Sequence, residues 1–114
     1  MKKEIEGFLA LLRELQKIDP EFPLQYAICL AEITLNEGLS VTELSNRTGL
    51  ALSTVSRIVG ALSKYRQMGK PYELIDIKTS EKSRRTKEIH LTPKGRQIIG
   101  KIALVFTFKD TPQN

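Results

Sequence analysis

Cysteine and histidine are almost absent from this 114-residue chain, which holds one of each, Cys29 and His90. A single thiol forms no internal disulfide, and one Cys with one His builds neither a Cys-based zinc site nor a nucleophilic triad. The sequence also lacks a phosphate-cradling glycine loop, a paired-carboxylate signature, internal repeats and low-complexity tracts. No catalytic residue, metal site or cofactor is therefore assigned, and enzyme chemistry is not expected. A long hydrophobic run is missing too. The opening MKKEIEGFLALLRELQKI interrupts its apolar residues with Glu4, Glu6, Arg13 and Glu14, which a signal-peptide core or membrane span does not tolerate. The expectation is a cytoplasmic protein with no membrane partner.

What is present is the composition of one folded domain. Hydrophobic residues make up 40% and charged residues 27%, too apolar for a disordered chain, and 114 residues supply one modest core but not two. Residues 1–114 are read as a single domain. The net charge of +5 is unevenly placed: residues 1–56 hold 5 basic and 8 acidic side chains, whereas residues 57–101 hold 12 basic and 4 acidic. A basic surface confined to half of a domain points to a polyanionic partner, nucleic acid first and anionic lipid second. Lipid is the poorer fit, because the cations do not line one face of an apolar-backed helix.

Apolar periodicity predicts an N-terminal helix over 3–18, with Ile5, Phe8, Leu9, Leu12, Leu15 and Ile18 at three- and four-residue steps before Asp19-Pro20. The spacing of Ile5, Phe8, Leu12 and Leu15 suits packing within the domain, the plainer reading, and would also suit a partner helix. A second helix, roughly 23–36, is expected from Pro23 in its first turn to a stop at Gly38, with Leu24, Ala27, Ile28, Ala31 and Leu35 inward and Cys29 packed beside them. Ser40 and Glu43 then have capping-box spacing ahead of the inward Val41 and Leu44, and Gly49 is a left-handed stop. Ser53 is placed to cap the next helix, whose inward face is Val55, Ile58, Val59, Leu62 and Tyr65. Two short helices joined by a tight glycine turn make a helix-turn-helix unit.

The opposite face of that second helix carries Ser53, Ser56, Arg57, Gly60 and Lys64, flanked by Thr54 and Ala61, with no acidic residue. Small hydroxyls, a cation and a missing side chain would let a helix sink into a major groove about 12 Å wide, its first residues meeting base edges. Beyond the Gly69 and Pro71 breakers, YELIDIK and KEIHL alternate, Ile75, Ile77, Ile89 and Leu91 inward, Leu74 out of phase and His90 outward and chemically idle. They predict a hairpin at about 72–91 whose tip concentrates Lys82, Arg84, Arg85 and Lys87. Thr92 and Pro93 start a last helix over 93–108 with Ile98, Ile99, Ile102 and Phe106 in a stripe, and the tail from Lys109 is expected to fray. The fold class is mainly α with a small β-hairpin, a winged helix-turn-helix, its core spanning 22–100.

A hairpin directly after a helix-turn-helix puts cations where the duplex backbone and minor groove run beside the major-groove helix. Arginine gains there from the enhanced negative potential, and each neutralised phosphate releases counterions. VTELSNRTGLALSTVSRIVGAL followed by SRRTKEIHLTPKG resembles the MarR family of bacterial winged-helix regulators, whose wing ends in an Asp-Arg/Lys-Arg run, a short strand and Leu-Thr-x-x-Gly. On that pattern Arg84 and Arg85 match the wing-tip pair, and Leu91, Thr92 and Gly95 match the strand-to-helix junction. Ser83 stands where the family usually has the wing aspartate, RQMGKPYELIDIK is longer than the usual link, and 19 residues follow Gly95 where the family continues with long helices.

The resemblance implies a sequence-specific, double-stranded-DNA-binding transcription regulator in a prokaryotic or virally infected cytoplasm. The alternatives are a winged-helix protein–protein module, or a replication or assembly factor of a phage or mobile element. The DNA-binding candidates are Ser53, Thr54, Ser56, Arg57 and Lys64 on the helix and Lys82, Arg84, Arg85 and Lys87 on the wing. The resemblance also implies a homodimer, which Ile5, Phe8, Leu12, Leu15 and the C-terminal helix with Phe106 and Phe108 could form. The family often binds a small aromatic effector; this sequence assigns no effector and no site for one.

Overall fold

The computed structural model describes residues 1–64, 69–82 and 85–107. The expectations placed on Tyr65, Arg84, Phe108 and the tail from Lys109 lie outside those residues. Five helices and two strands follow in order: α1 Lys2–Ile18, α2 Leu24–Leu35, α3 Val41–Thr48, α4 Leu52–Leu62, β1 Ile75–Thr79, β2 Lys87–Leu91 and α5 Pro93–Thr107. The core is built where α2, α3 and α4 meet the hairpin, from Leu30, Ile33, Leu44, Val55, Ile58, Leu62, Leu74, Ile75 and Ile89, each at most 1% exposed. Apart from Leu30 and Ile33 of α2, those are the side chains of the predicted inward faces of α3, α4 and the hairpin, with the exception of Leu74. That residue precedes the strand and is fully buried, because the chain kinks at Glu73, whose φ is +57°.

α1 forms within one residue of the expected span, but α2 departs from the expected burial. α2 buries Cys29, Leu30 and Ile33, whereas Leu24, Ile28 and Leu35, expected inward, are 73%, 43% and 79% exposed. The helix is apolar on two sides, so periodicity alone could not choose the buried one. α1 packs against α5 and buries Gly7, leaving Ile5, Phe8, Leu9 and Leu12 exposed. The apolar side of α1 is therefore not consumed by its own domain. Leu9, Leu12, Phe22 and Leu24 line a groove that runs between these two uncovered faces.

Two junctions fix the wing. After α4, the backbone N–H groups of Tyr72, Glu73 and Leu74 donate to the carbonyls of Ala61, Ser63 and Leu62 at 3.2, 3.0 and 2.8 Å, supplying donors to acceptors at the helix end. At the far end of the hairpin the Thr92 N–H donates to the Leu74 carbonyl at 3.0 Å, and the Thr92 hydroxyl accepts from the Gly95 N–H at 3.0 Å. Thr92 thus caps α5 as expected. Gly95 packs so closely on the Leu74 carbonyl that a Cβ would collide with it. Phe22, Tyr26 and Tyr72 meet edge to face, with ring centroids 5.2–6.1 Å apart. The Tyr72 hydroxyl donates to Asp19 Oδ2 at 2.6 Å, tying the end of α1 to the base of the wing.

The hairpin is antiparallel, with Ile75 opposite Leu91 and Ile77 opposite Ile89. Its other edge is also engaged: the Gly38 N–H donates to the Ile89 carbonyl at 2.8 Å, and the Ile89 N–H donates to the Leu39 carbonyl at 3.0 Å. The α2–α3 connection therefore lies along the other edge of β2, bonded to it at Gly38 and Leu39.

Candidate nucleic-acid interface

The helix-turn-helix is held by its own polar side chains. The Ser40 hydroxyl accepts from the Glu43 N–H at 3.1 Å while the Glu43 carboxylate accepts from the Ser40 N–H at 3.3 Å, completing the expected capping box. Gly49 takes φ +76° and ends α3, a conformation that costs a Cβ-bearing residue more than glycine. In the turn, the Ser45 hydroxyl donates to the Leu50 carbonyl at 2.7 Å and the Thr48 hydroxyl accepts from the Leu50 N–H at 3.2 Å.

α4 starts one residue earlier than its predicted cap. Ala51 is its N-cap, with no side-chain cap hydrogen bond. Ser53 is therefore not the cap; it stands inside the first turn and is exposed, alongside exposed Ser56 and Arg57 and half-buried Thr54 and Gly60. Val55, Ile58, Val59 and Leu62 are at most 2% exposed, and Ala61, placed on a flank by the sequence, is buried with them. Leu52, half exposed in the same first turn, was not among the candidates. α4 ends at Leu62, where Ser63 turns the chain and its hydroxyl donates to the Gly60 carbonyl at 3.0 Å. Lys64 is exposed beyond the helix rather than on it.

On the wing, the Ser80 N–H donates to the Thr86 carbonyl at 2.8 Å and the Ser80 hydroxyl accepts from the Lys82 N–H at 3.2 Å. Lys82, Arg85 and Lys87 are all exposed. The wing springs from residues bonded to the last turn of α4, the end at which Lys64 sits. Each described candidate is thus at least partly open to solvent, and none lies under another part of the same chain.

His90 is not the idle outward residue that alternation predicted. Its Nδ1 lies 3.4 Å from Glu37 Oε2 and its Nε2 lies 3.1 Å from Glu88 Oε1. Arg96 at the start of α5 donates from both terminal nitrogens to the two Glu37 oxygens, at 2.7 and 2.8 Å, and the Leu91 N–H donates to Glu37 Oε2 at 3.2 Å. Partial burial pushes the Glu37 carboxyl up, but Arg96, the Leu91 N–H and His90 outweigh it and hold it below the usual value. Hydrogen bonds from His90 and Ser80 likewise lower Glu88. Burial, with a lesser push from Glu32, raises the Cys29 thiol to about 11, so it is a packed, unreactive side chain at neutral pH. Among the described residues no group of three or more His, Cys, Asp or Glu side chains could hold a metal ion, and no helix is long and apolar enough to cross a membrane.

Comparison with known proteins agrees with this architecture. Residues 33–66, which contain α3 and α4, match the IclR helix-turn-helix domain. No curated protein matches the sequence. Solved structures match over nearly the whole chain. An S. aureus MepR–DNA complex superposes with a TM-score of 0.74 at 17% identity, covering 95% of this chain and 82% of that one. RV1404 from Mycobacterium tuberculosis gives 0.72 at 19% identity over 90% of this chain and 65% of that one. The MarR family transcription regulator SP03579 gives 0.67 at 21% identity over 89% and 61%, so this chain spans under two thirds of the length of the last two. The fold is a winged helix-turn-helix similar to that of MarR-family structures, including the flanking helices α1 and α5.

Proposed function

We propose that the protein is a sequence-specific regulator of transcription that binds double-stranded DNA. α4 enters the major groove, where Ser53, Thr54, Ser56 and Arg57 read base edges. Arg84 and Arg85 reach the adjacent minor groove, while Lys64, Lys82 and Lys87 meet phosphates. The observation that carries the reading is the exposed, acid-free face of α4 in a winged helix whose basic hairpin is bonded to the end of that same helix. The DNA-bound state of MepR, which has a similar fold, supports it.

The uncovered apolar residues of α1 and α2, together with Leu104 and Phe106 on α5 at 61% and 50% exposure, support a homodimer. Two protomers would then present two recognition helices to half-sites about one helical turn apart. Selection of bound duplexes from a random pool tests both statements. A two-fold symmetric consensus is expected. Recovery of no enriched sequence, with no binding of random duplex at low salt, refutes DNA recognition and leaves a protein-binding winged helix.

A further inference from the structure

Three elements that are far apart in sequence converge on one carboxylate. Glu37 belongs to the α2–α3 connection, Leu91 and His90 to β2, and Arg96 to the first turns of α5. The neighbouring Gly38 and Leu39 exchange backbone hydrogen bonds with Ile89. Two residues further along β2, the next N–H on this edge, that of Leu91, finds the Glu37 side chain instead of a carbonyl. A carboxylate that replaces a rung of the ladder sets the angle of the strand only if it is itself held. Arg96 does this with a two-pronged contact that fixes orientation as well as distance. The Arg96 side chain is 59% exposed, and exposed ion pairs contribute little to stability. Geometry, more than stability, is what this arrangement provides. Glu88 and His90 close the same recess, and Glu43 and Arg47 of α3 line it from the other side.

We propose that Glu37 is a positioning residue for the wing: clamped by Arg96, it holds β2 at the angle at which Lys82 and Lys87 meet the phosphates, and Arg85 the adjacent minor groove, of a duplex whose major groove holds α4. This rests on the DNA-binding reading above. The start of α5 thereby becomes part of the wing's mounting, and this side chain gives a change in α5 a route to the DNA-binding surface.

The test pairs duplex binding with amide hydrogen exchange in wild type, Glu37→Gln, Arg96→Gln and Arg96→Lys. The probe is a labelled random-sequence duplex of about two helical turns, ~20 bp, titrated over a range of salt. Each phosphate contact contributes about 0.9 to the slope of log K against log salt. Losing the two wing lysine contacts to phosphate, together with the Arg85 charge beside them, should therefore lower the slope by about two to three. Glu37→Gln and Arg96→Gln are expected to lower it by that amount, and no further when combined with Lys82→Ala, Arg85→Ala and Lys87→Ala. Arg96→Lys, which keeps the charge but not the two-pronged grip, should recover part of it. In the Gln variants the amides of Lys78 and His90, on the paired edges of the two strands, should exchange faster while Ile58 and Val59 of α4 do not change. A loss of folded fraction would lower apparent affinity without moving the slope. An unchanged slope in Glu37→Gln, or strand amides that exchange no faster, overturns the positioning role. Wild-type protein that binds no duplex overturns the functional reading alone, and the exchange comparison then still decides whether Glu37 holds the wing.

Discussion

Two glycines five residues apart on α5 allow a sharp test of the packing at the root of the wing. At Gly95 a Cβ would strike the Leu74 carbonyl, with the Leu74 carbonyl carbon only 3.0 Å away; at Gly100 a Cβ would meet nothing within 4 Å. Both positions are helical, so Gly→Ala brings a similar helix-propensity gain, up to about 1 kcal/mol. At Gly100 that gain stands alone. At Gly95 it is opposed by overpacking of about 1–3 kcal/mol. The Leu74 peptide that must move also donates to the Leu62 carbonyl and accepts from the Thr92 N–H, two hydrogen bonds worth about 1 kcal/mol each. Gly95→Ala should therefore destabilise by about 2–3 kcal/mol while Gly100→Ala stabilises by up to about 1. Thermal unfolding at one fixed protein concentration should separate the two variants by roughly 10 °C or more. Melting temperatures within ~2 °C of each other would show that the contact with Leu74 does not constrain the fold.

Other consequences are open to direct measurement. Arg57→Ala should relax discrimination at one base position by about 1–3 kcal/mol, whereas Lys82→Ala should weaken all sequences alike and reduce the salt slope by about 0.9. Equal effects of both variants on selected and random duplexes would refute the base-reading role. Ile28→Glu or Leu35→Glu, on the exposed side of α2, should leave the monomer folded and abolish self-association in sedimentation. Leu30→Glu, buried on the other side, should unfold it, because an unpaired charge is costly in a core. Cys29, fully buried with its thiol raised to about 11, should resist thiol reagents at pH 8 until denaturant is added. Glu37 titrates below its ordinary value of 4.5, so its stabilisation is complete above that value and is lost as pH falls through the lower folded-state value. Glu37→Gln should therefore flatten part of the acid limb of the stability–pH curve.

What could be read from the sequence was what is encoded locally. Ser40 and Glu43 lie three apart, Gly49 follows the helix they start, and the strand alternation at Ile75, Ile77, Ile89 and Leu91 names its own inner face. Each of these is settled by neighbours within a few residues, and the structure keeps them. The errors occur where local signals are degenerate. α2 offers two apolar sides, and only the arrival of α3, α4 and β2 decides that Cys29, Leu30 and Ile33 go in. Ser53 resembles a cap, but Ser45 and Thr48 already organise the turn and α4 starts without one. The Glu37 contacts had no local signal at all, since Glu37 and Arg96 are 59 residues apart and no periodicity links them. The DNA-contact assignments remain proposals of the sequence reading, to which the structure adds solvent access for the described candidates.

β2 is flanked on both sides, by β1 and by Gly38 and Leu39, which leaves β1 as the outer strand of the wing. Within the described sheet β1 pairs only with β2, so its far edge is where a stray extended segment would add. That edge is five residues long and displays Asp76 and Lys78, a short, charged border of the kind that discourages intermolecular strand addition. The wing can therefore project a hairpin into solvent without offering a template for aggregation, and replacing Lys78 with an apolar β-branched residue would remove that protection.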